Sequence, residues 1–285
     1  MIRWFVVGGF WLTLAAGAFA QTTNQYTPVA PIPVGDILLS LPSSHIPAAK
    51  TWEVRFTHRF NQSIDAGNAL HTLFGLDSGA NTGIGLSYVP LRDVQIALLR
   101  TNTLETYEGS LKYVVMQQAR VIPFTATLRG GVDWRNARDI EDRASYFAQA
   151  IVSRQIGSRL DLYVIPTYVT DAGRVVSGST SAALFDHAFN VPVGVVLMIL
   201  PAFSIVGEVI PPNHDLPDTL KADLGWAIGI KKAIGGHFFE ILLTNSNGTS
   251  TDQYISSTFN GAPLTTGDLR LGFNIERRFG KGARR

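Results

Sequence analysis

Asp268 to Phe279 reads DLRLGFNIERRF, and the two faces of this stretch decide the fold. In an extended chain successive side chains point opposite ways. Leu269, Leu271, Phe273, Ile275 and Phe279 therefore share one face, while Arg270, Gly272, Asn274, Glu276 and Arg278 share the other. A face with so many charges is not a hydrophobic core. The same period-two pattern recurs in TWEVRFTHRF at 51–60, where Trp52, Val54, Phe56 and Phe60 oppose Glu53, Arg55, Thr57 and Arg59. GIGLSY at 83–88 and YEGSLKYVV at 107–115 repeat it. In a soluble sandwich the apolar face packs inward and the charges meet water. In an outer-membrane barrel the apolar face meets lipid and the charges line the lumen. Periodicity alone does not separate the two, so export signals, aromatic content and strand number have to.

Working outward from these segments gives about twelve strands, centred on 51–60, 82–89, 93–101, 106–115, 120–134, 143–154, 159–169, 189–199, 202–210, 222–231, 237–245 and 268–279. An even number is expected of bacterial single-chain barrels. The connections mostly alternate. VPLRD, MQQAR, IGS, the region of Pro201 and KAIGG are short, whereas 61–81, 170–188, 211–221 and 246–267 are long. Short periplasmic turns and longer outer loops, with both termini periplasmic, match an antiparallel transmembrane β-barrel. The short connection at 102–105 is an exception on the outer side. NVPVGVVLMILPAFSIVGEVIPP is apolar enough to span a membrane as a helix. Pro201 at its centre and its many Val and Ile residues favour two strands joined by a turn.

The chain's beginning supplies the export signal. Arg3, the apolar run Val6 to Ala16 and the small-x-small site Ala18-Phe19-Ala20 read as a signal peptide over 1–20, with a mature start at Gln21. Residues 21–50 carry five of the 14 prolines and read as a Pro-rich periplasmic leader outside the barrel. The barrel then occupies 51–279, followed by a basic tail at 280–285. There is no Cys, which excludes disulfides, thiol chemistry and a lipoprotein anchor. Charged residues make up only 16% of the chain, and the formal net charge of +2 leaves no basic field of the kind nucleic-acid binding requires. The expected surroundings are the outer membrane's lipid and, during biogenesis, the barrel-assembly machinery.

FTHRF, LFGLDSGANTGIGLSY, YEGSLKYVV, GEVI around Glu208, GGHFFEILLTNSNG and GDLRLGFNIERRF follow one another in the order of the motifs of a bacterial outer-membrane-type β-barrel family of unknown function, which the chain resembles from Thr57 to Phe279. The resemblance implies such a barrel and carries no activity with it. The tail departs from the usual pattern, because barrels of this class often end on an aromatic residue, and here GKGARR follows Phe279.

The sequence shows no catalytic constellation, so an enzyme is not expected, and neither a cofactor nor a metal is called for. The six His are scattered at 45, 58, 71, 187, 214 and 237 without metal-ligand spacing. Gly75-Leu76-Asp77-Ser78-Gly79 has Asp where a nucleophile elbow needs Ser and reads as a turn. GIG at 83–85 lacks the rest of a dinucleotide fingerprint. His58 and His237 share faces with aromatic and aliphatic residues and read as amphipathic rim positions. The lumen-facing candidates are Glu53, Arg55, Arg59, Lys112, Arg129, Asp133, Glu208, Asp223, Glu240, Arg270, Glu276 and Arg278. Phe273, Ile275 and Phe279 form the lipid face of the C-terminal strand that assembly reads. Three readings stay open: a small-solute pore or transport-related barrel first, a structural or docking barrel with a plugged lumen second, and an outer-membrane enzyme third.

Overall fold

The computed structural model describes residues 32–64, 70–138, 140–177, 179–212, 223–256, 258–259, 262–263, 265 and 267–280. The expected signal peptide, the first part of the leader and residues 281–285 lie outside them. Among the described residues twelve strands close into one antiparallel barrel. They are β1 (Trp52–Phe60), β2 (Ala80–Leu91), β3 (Val94–Thr101), β4 (Thr106–Met116), β5 (Thr125–Arg135), β6 (Arg143–Ile156), β7 (Leu160–Val164 continuing as Thr167–Ser177), β8 (Thr180–Asn190 continuing as Val193–Leu200), β9 (Phe203–Ile210), β10 (Gly225–Ile234), β11 (His237–Thr244) and β12 (Arg270–Phe279). Each pairs with the next, and β12 returns to β1 in a register running from Trp52 opposite Phe279 to Arg59 opposite Gly272. Closure leaves no open edge where the wall meets lipid.

The two interrupted strands are each one strand with a proline in it. β6 pairs Val152 with Val164 below the break and Phe147 with Val169 above it, so the register passes through Pro166 unchanged. β8 does the same across Pro192, pairing Val193 with Val164 and Asn190 with Thr167. Proline has no N–H to donate to a ladder, but its carbonyl still accepts. Pro166 O accepts from Ala150 N at 3.0 Å, and Pro192 O accepts from Ile165 N at 2.8 Å.

This corrects one expectation. Residues 170–188, read as a long loop, form the outer halves of β7 and β8, a hairpin that extends past its neighbours. Their Gly and Ser content hides the alternation of a segment whose Ala172, Phe185 and Ala188 are buried. The apolar stretch 191–210 folds as the lower half of β8 and β9, joined at Pro201-Ala202, as the hairpin reading requires. No helix among the described residues is long and apolar enough to cross a membrane, which says nothing of strands.

The tight turns at 92–93, 157–159, 201–202 and 235–236 gather at the end that also carries both ends of the barrel chain, Trp52 and Phe279. Gly235 and Gly236, at φ 54° and 84°, make a two-residue turn that only residues tolerant of positive φ build well. On the outward face Ile84, Leu98, Leu111, Ile228 and Ile241 are each at least half exposed. Such a continuous apolar surface suits lipid and not water. Inward, the wall is divided. Strands β6 to β11 turn Ile151, Tyr163, Val196, Val206 and Leu242 inside, while β12 and β1 to β5 turn in mainly charged and amide groups.

Candidate functional site

The site is the lumen, and two segments of the chain itself fill it. The first is 32–50, which the sequence places outside the barrel as a periplasmic leader. Instead it enters as a hairpin. Its arms are joined by Leu38 N to Leu41 O (2.8 Å) and Ser43 N to Asp36 O (2.9 Å), with an isolated bridge between Ile37 and Pro42. Leu38, Leu39 and Leu41 at its tip are fully buried, packed in one cluster with Val196, Val206 and Leu242 of the wall. Burying a Leu stabilises by about 2 kcal/mol, so the tip is a hydrophobic anchor. The wall is cut to receive it: a Cβ on Gly194 would collide with Leu38, and one on Gly229 would stand 3.0 Å from Leu39 Cδ2.

A hairpin of two short arms leaves backbone groups unpaired, and the wall's polar side chains satisfy them, as buried polar groups require. Glu208 accepts from the amides of Leu39 (2.7 Å), Ser40 (2.9 Å) and Leu41 (2.9 Å). Arg59 donates to Leu39 O at 2.9 Å and Asn274 to the same oxygen at 2.8 Å. Lys231 donates to Ile37 O at 2.6 Å and to Val34 O, while holding an ion pair with Glu240 at 2.7 Å. Glu276 accepts from Asp36 N at 2.8 Å. Asp36 itself pairs with Lys112 (2.6 Å) and Arg55 (3.2 Å). Burial alone would raise the Asp36 carboxyl, but these two cations outweigh it and hold it well below the usual carboxylate range. His45, at the lower end of the hairpin, is held below its ordinary value by desolvation and by the nearby Arg278 and Lys112 charges.

The second segment is 245–256, between β11 and β12, which turns inward and includes the short helix α1 (Thr251–Ile255), every residue of it buried. The free amides of its first turn are taken up by wall carboxylates. Thr251 N donates to Glu108 at 2.6 Å and Asp252 N to Asp133 at 2.7 Å. Asp252 in turn pairs with Arg135 and accepts from Gly173 N at 2.9 Å, which ties the loop to the outer half of β7. Arg129 pairs with Glu108 and donates to Thr251 Oγ1 at 2.9 Å. Burial pushes the Tyr254 phenol up to about 12, with the Glu108 charge adding to it against Arg129. Between the hairpin and this loop remains a polar cavity lined by Arg55, Gln95, Glu108, Lys112, Arg129 and Tyr254, with room for about one or two water molecules.

The structure places eleven of the twelve lumen candidates on the inner side. Glu53 lies there against Arg278, and Arg270 at the outer rim bonds Asn245 O (3.1 Å) and Asp268 (2.8 Å). The correction is Asp223: it is exposed and precedes the start of β10 at Gly225, so strand alternation does not govern it. Phe273, Ile275 and Phe279 lie outward. His58 stacks on Phe273 (4.8 Å) and His237 on Phe239 (5.8 Å), each among the aromatic residues of the outer face. Sequence reasoning missed Asp36, Arg135, Lys231 and Asp252. Asp36 and Asp252 sit in segments without strand periodicity. Arg135 falls just past the expected strand end, and Lys231 is masked by Lys232 beside it. No group of three or more His, Asp or Glu able to hold a metal occurs among the described residues.

Among curated proteins none matches the chain. Among solved structures it is similar to the NanC porin, at 12% identity and a TM-score of 0.47, over 80% of this chain and 99% of that one. It is similar also to the COG4313 outer membrane channel from Pseudomonas putida F1, at 11% identity and a TM-score of 0.49, over 82% and 97%. A third is outer membrane phospholipase A from Escherichia coli, at 10% identity and a TM-score of 0.42, over 81% and 93%. Residues 35–279 match the family described as Membrane bound beta barrel domain (DUF5777). That match begins inside the lumen hairpin and ends on the last residue of β12, and the chain belongs to this family of membrane-bound β-barrels.

Proposed function

We propose that the protein is an exported outer-membrane barrel whose own chain keeps its lumen shut, so that it serves as a structural or docking barrel. The observation that carries this is the filling of the lumen from both ends by 32–50 and 245–256. The apolar packing of Leu38, Leu39 and Leu41 against one wall is the packing of a core. The carboxylates and cations of the other wall, and the Lys231–Glu240 pair beside the apolar packing, are engaged with those two segments or with each other, which is the paired arrangement a dry interior demands. The orientation proposed puts the tight turns and both chain ends in the periplasm and the 245–256 loop at the cell surface.

A second reading is a small-solute pore that opens when the hairpin leaves. What favours it is the polar cavity along β1 to β5, where Arg55, Lys112 and Arg129 would line a path once the hairpin had gone. Planar-bilayer recordings of the intact protein separate the two. The closed barrel gives no steady channel steps at any applied voltage short of membrane breakdown. Regular steps from the intact chain would overturn it in favour of the pore.

A further inference from the structure

The exposed charges outside the lumen are divided unevenly between the two ends. The end that carries both ends of the barrel chain exposes Lys50, Arg92, Arg120 and Arg159 on its turns and entry segment, and Arg154, Lys232 and Arg277 on its strands. The one acid beside them on the described surface is Asp93, which lies 3.3 Å from Arg92. At the opposite end Asp77, Glu141, Asp142, Asp186 and Asp223 are exposed, alongside the cations Arg100 and Arg138. A chain of nearly balanced charge thus has one basic rim and one largely acidic rim.

The direction of three of the basic side chains identifies what they meet. Arg154 follows buried Ser153, Lys232 follows buried Lys231, and Arg277 follows buried Glu276, so alternation puts all three on the outward face that the bilayer covers. They stand in a band of exposed apolar groups: Ile156, Leu200, Ile234 and Phe279. Arg277 lies 4.8 Å from the centre of the Phe279 ring, and Lys232 lies 5.9 Å from that of Phe203. Long basic side chains at the edge of an apolar band place their stems along it and their charges at headgroup depth. A soluble partner docking beneath the barrel would meet the turn cations and not these three.

We propose that this rim is a binding belt for phospholipids with anionic headgroups, in which Arg154, Lys232 and Arg277 hold lipid phosphates of the adjoining leaflet and the turn cations add a long-range field. The proposal rests on the membrane-spanning barrel and not on the closed lumen. Bilayer recordings of the intact chain test the closed lumen alone and leave the belt untouched.

The test is native mass spectrometry of the full-length protein in detergent, offered phosphatidylglycerol or phosphatidylcholine of the same chain length. Phosphatidylglycerol is retained preferentially. The triple variant Arg154→Gln, Lys232→Gln, Arg277→Gln loses that preference by roughly tenfold or more at low salt, since each basic group near an anionic surface contributes separately. The turn variant Arg92→Gln, Arg120→Gln, Arg159→Gln loses less. Equal retention of the two lipids by the unaltered protein overturns the belt, and that comparison needs no variant to fold. Displacement of phosphatidylglycerol by millimolar inorganic phosphate would assign the rim to a free anion. Binding of polyglutamate without lipid preference would assign it to an acidic polypeptide. Either result overturns the proposal.

Discussion

Deleting the chain from Phe273 onward abolishes the folded, heat-modifiable barrel, whereas deleting 280–285 leaves it intact. β12 is bonded on both sides, to β1 through pairs such as Phe56 with Ile275 and to β11 through pairs such as Phe239 with Ile275. Removing 273–279 strips most of both ladders. Two strand edges then face hydrocarbon, where each unpaired backbone group costs several kcal/mol. The lost strand also carries Asn274, Glu276 and Arg278, three of the lumen's polar contacts. Among the described residues the last ladder partner on the strand is Phe279, opposite Trp52. Electrophoresis of unheated and boiled samples reads both truncations. A shorter deletion that no longer shifts would mean that the basic tail, and not the strand ending at Phe279, completes the barrel.

Glu208→Ala releases the hairpin without unfolding the barrel. The substitution leaves three amides, those of Leu39, Ser40 and Leu41, without their acceptor in a dry site, and each such group costs about 1–3 kcal/mol. It also takes away a carboxylate that balances the buried Arg59. Together these losses, about 3–9 kcal/mol from the amides alone, match or exceed the roughly 6 kcal/mol that burial of the three tip leucines contributes. The variant therefore conducts in planar bilayers, and a protease added from the side of the tight turns cuts within 32–47, while the heat-modifiable band is unchanged. Glu208→Gln keeps one acceptor oxygen and falls between the two. A Glu208→Ala protein that stays silent and uncut would show that the apolar tip alone secures the hairpin.

The wall of this barrel was legible because lipid on one side and charge on the other impose period two, as in 51–60 and 268–279. The inward placement of Glu276 and Arg278 follows from that alternation alone. The contents of the lumen were not legible for the converse reason. Residues 32–50 make only a few ladder bonds, and their amides and carbonyls are met by Arg59 of the next strand and by Glu208, Lys231 and Asn274 from strands far away in sequence. No local periodicity records such partners. Proline, read as a sign of a segment outside the fold, is tolerated in this hairpin because wall side chains do the bonding that a ladder would otherwise do. Pro166 and Pro192 sit inside long strands whose register continues through them, as the expected strands 159–169 and 189–199 have it. The one visible hint was Glu208, a lone carboxylate in the apolar run of 191–210, which needs a buried partner.

The occupied lumen is the central claim, and the absence of Cys from the chain gives it a clean test. Leu39→Cys puts a single thiol at the fully buried tip of the hairpin, and Lys50→Cys puts one at the exposed rim below it. In folded protein a membrane-impermeant maleimide labels the rim thiol quickly and leaves the tip thiol unlabelled from either side, until Glu208→Ala is added. Equal labelling of the two thiols in an otherwise unaltered, heat-modifiable barrel would contradict the account, because it would mean that the hairpin is not in the lumen.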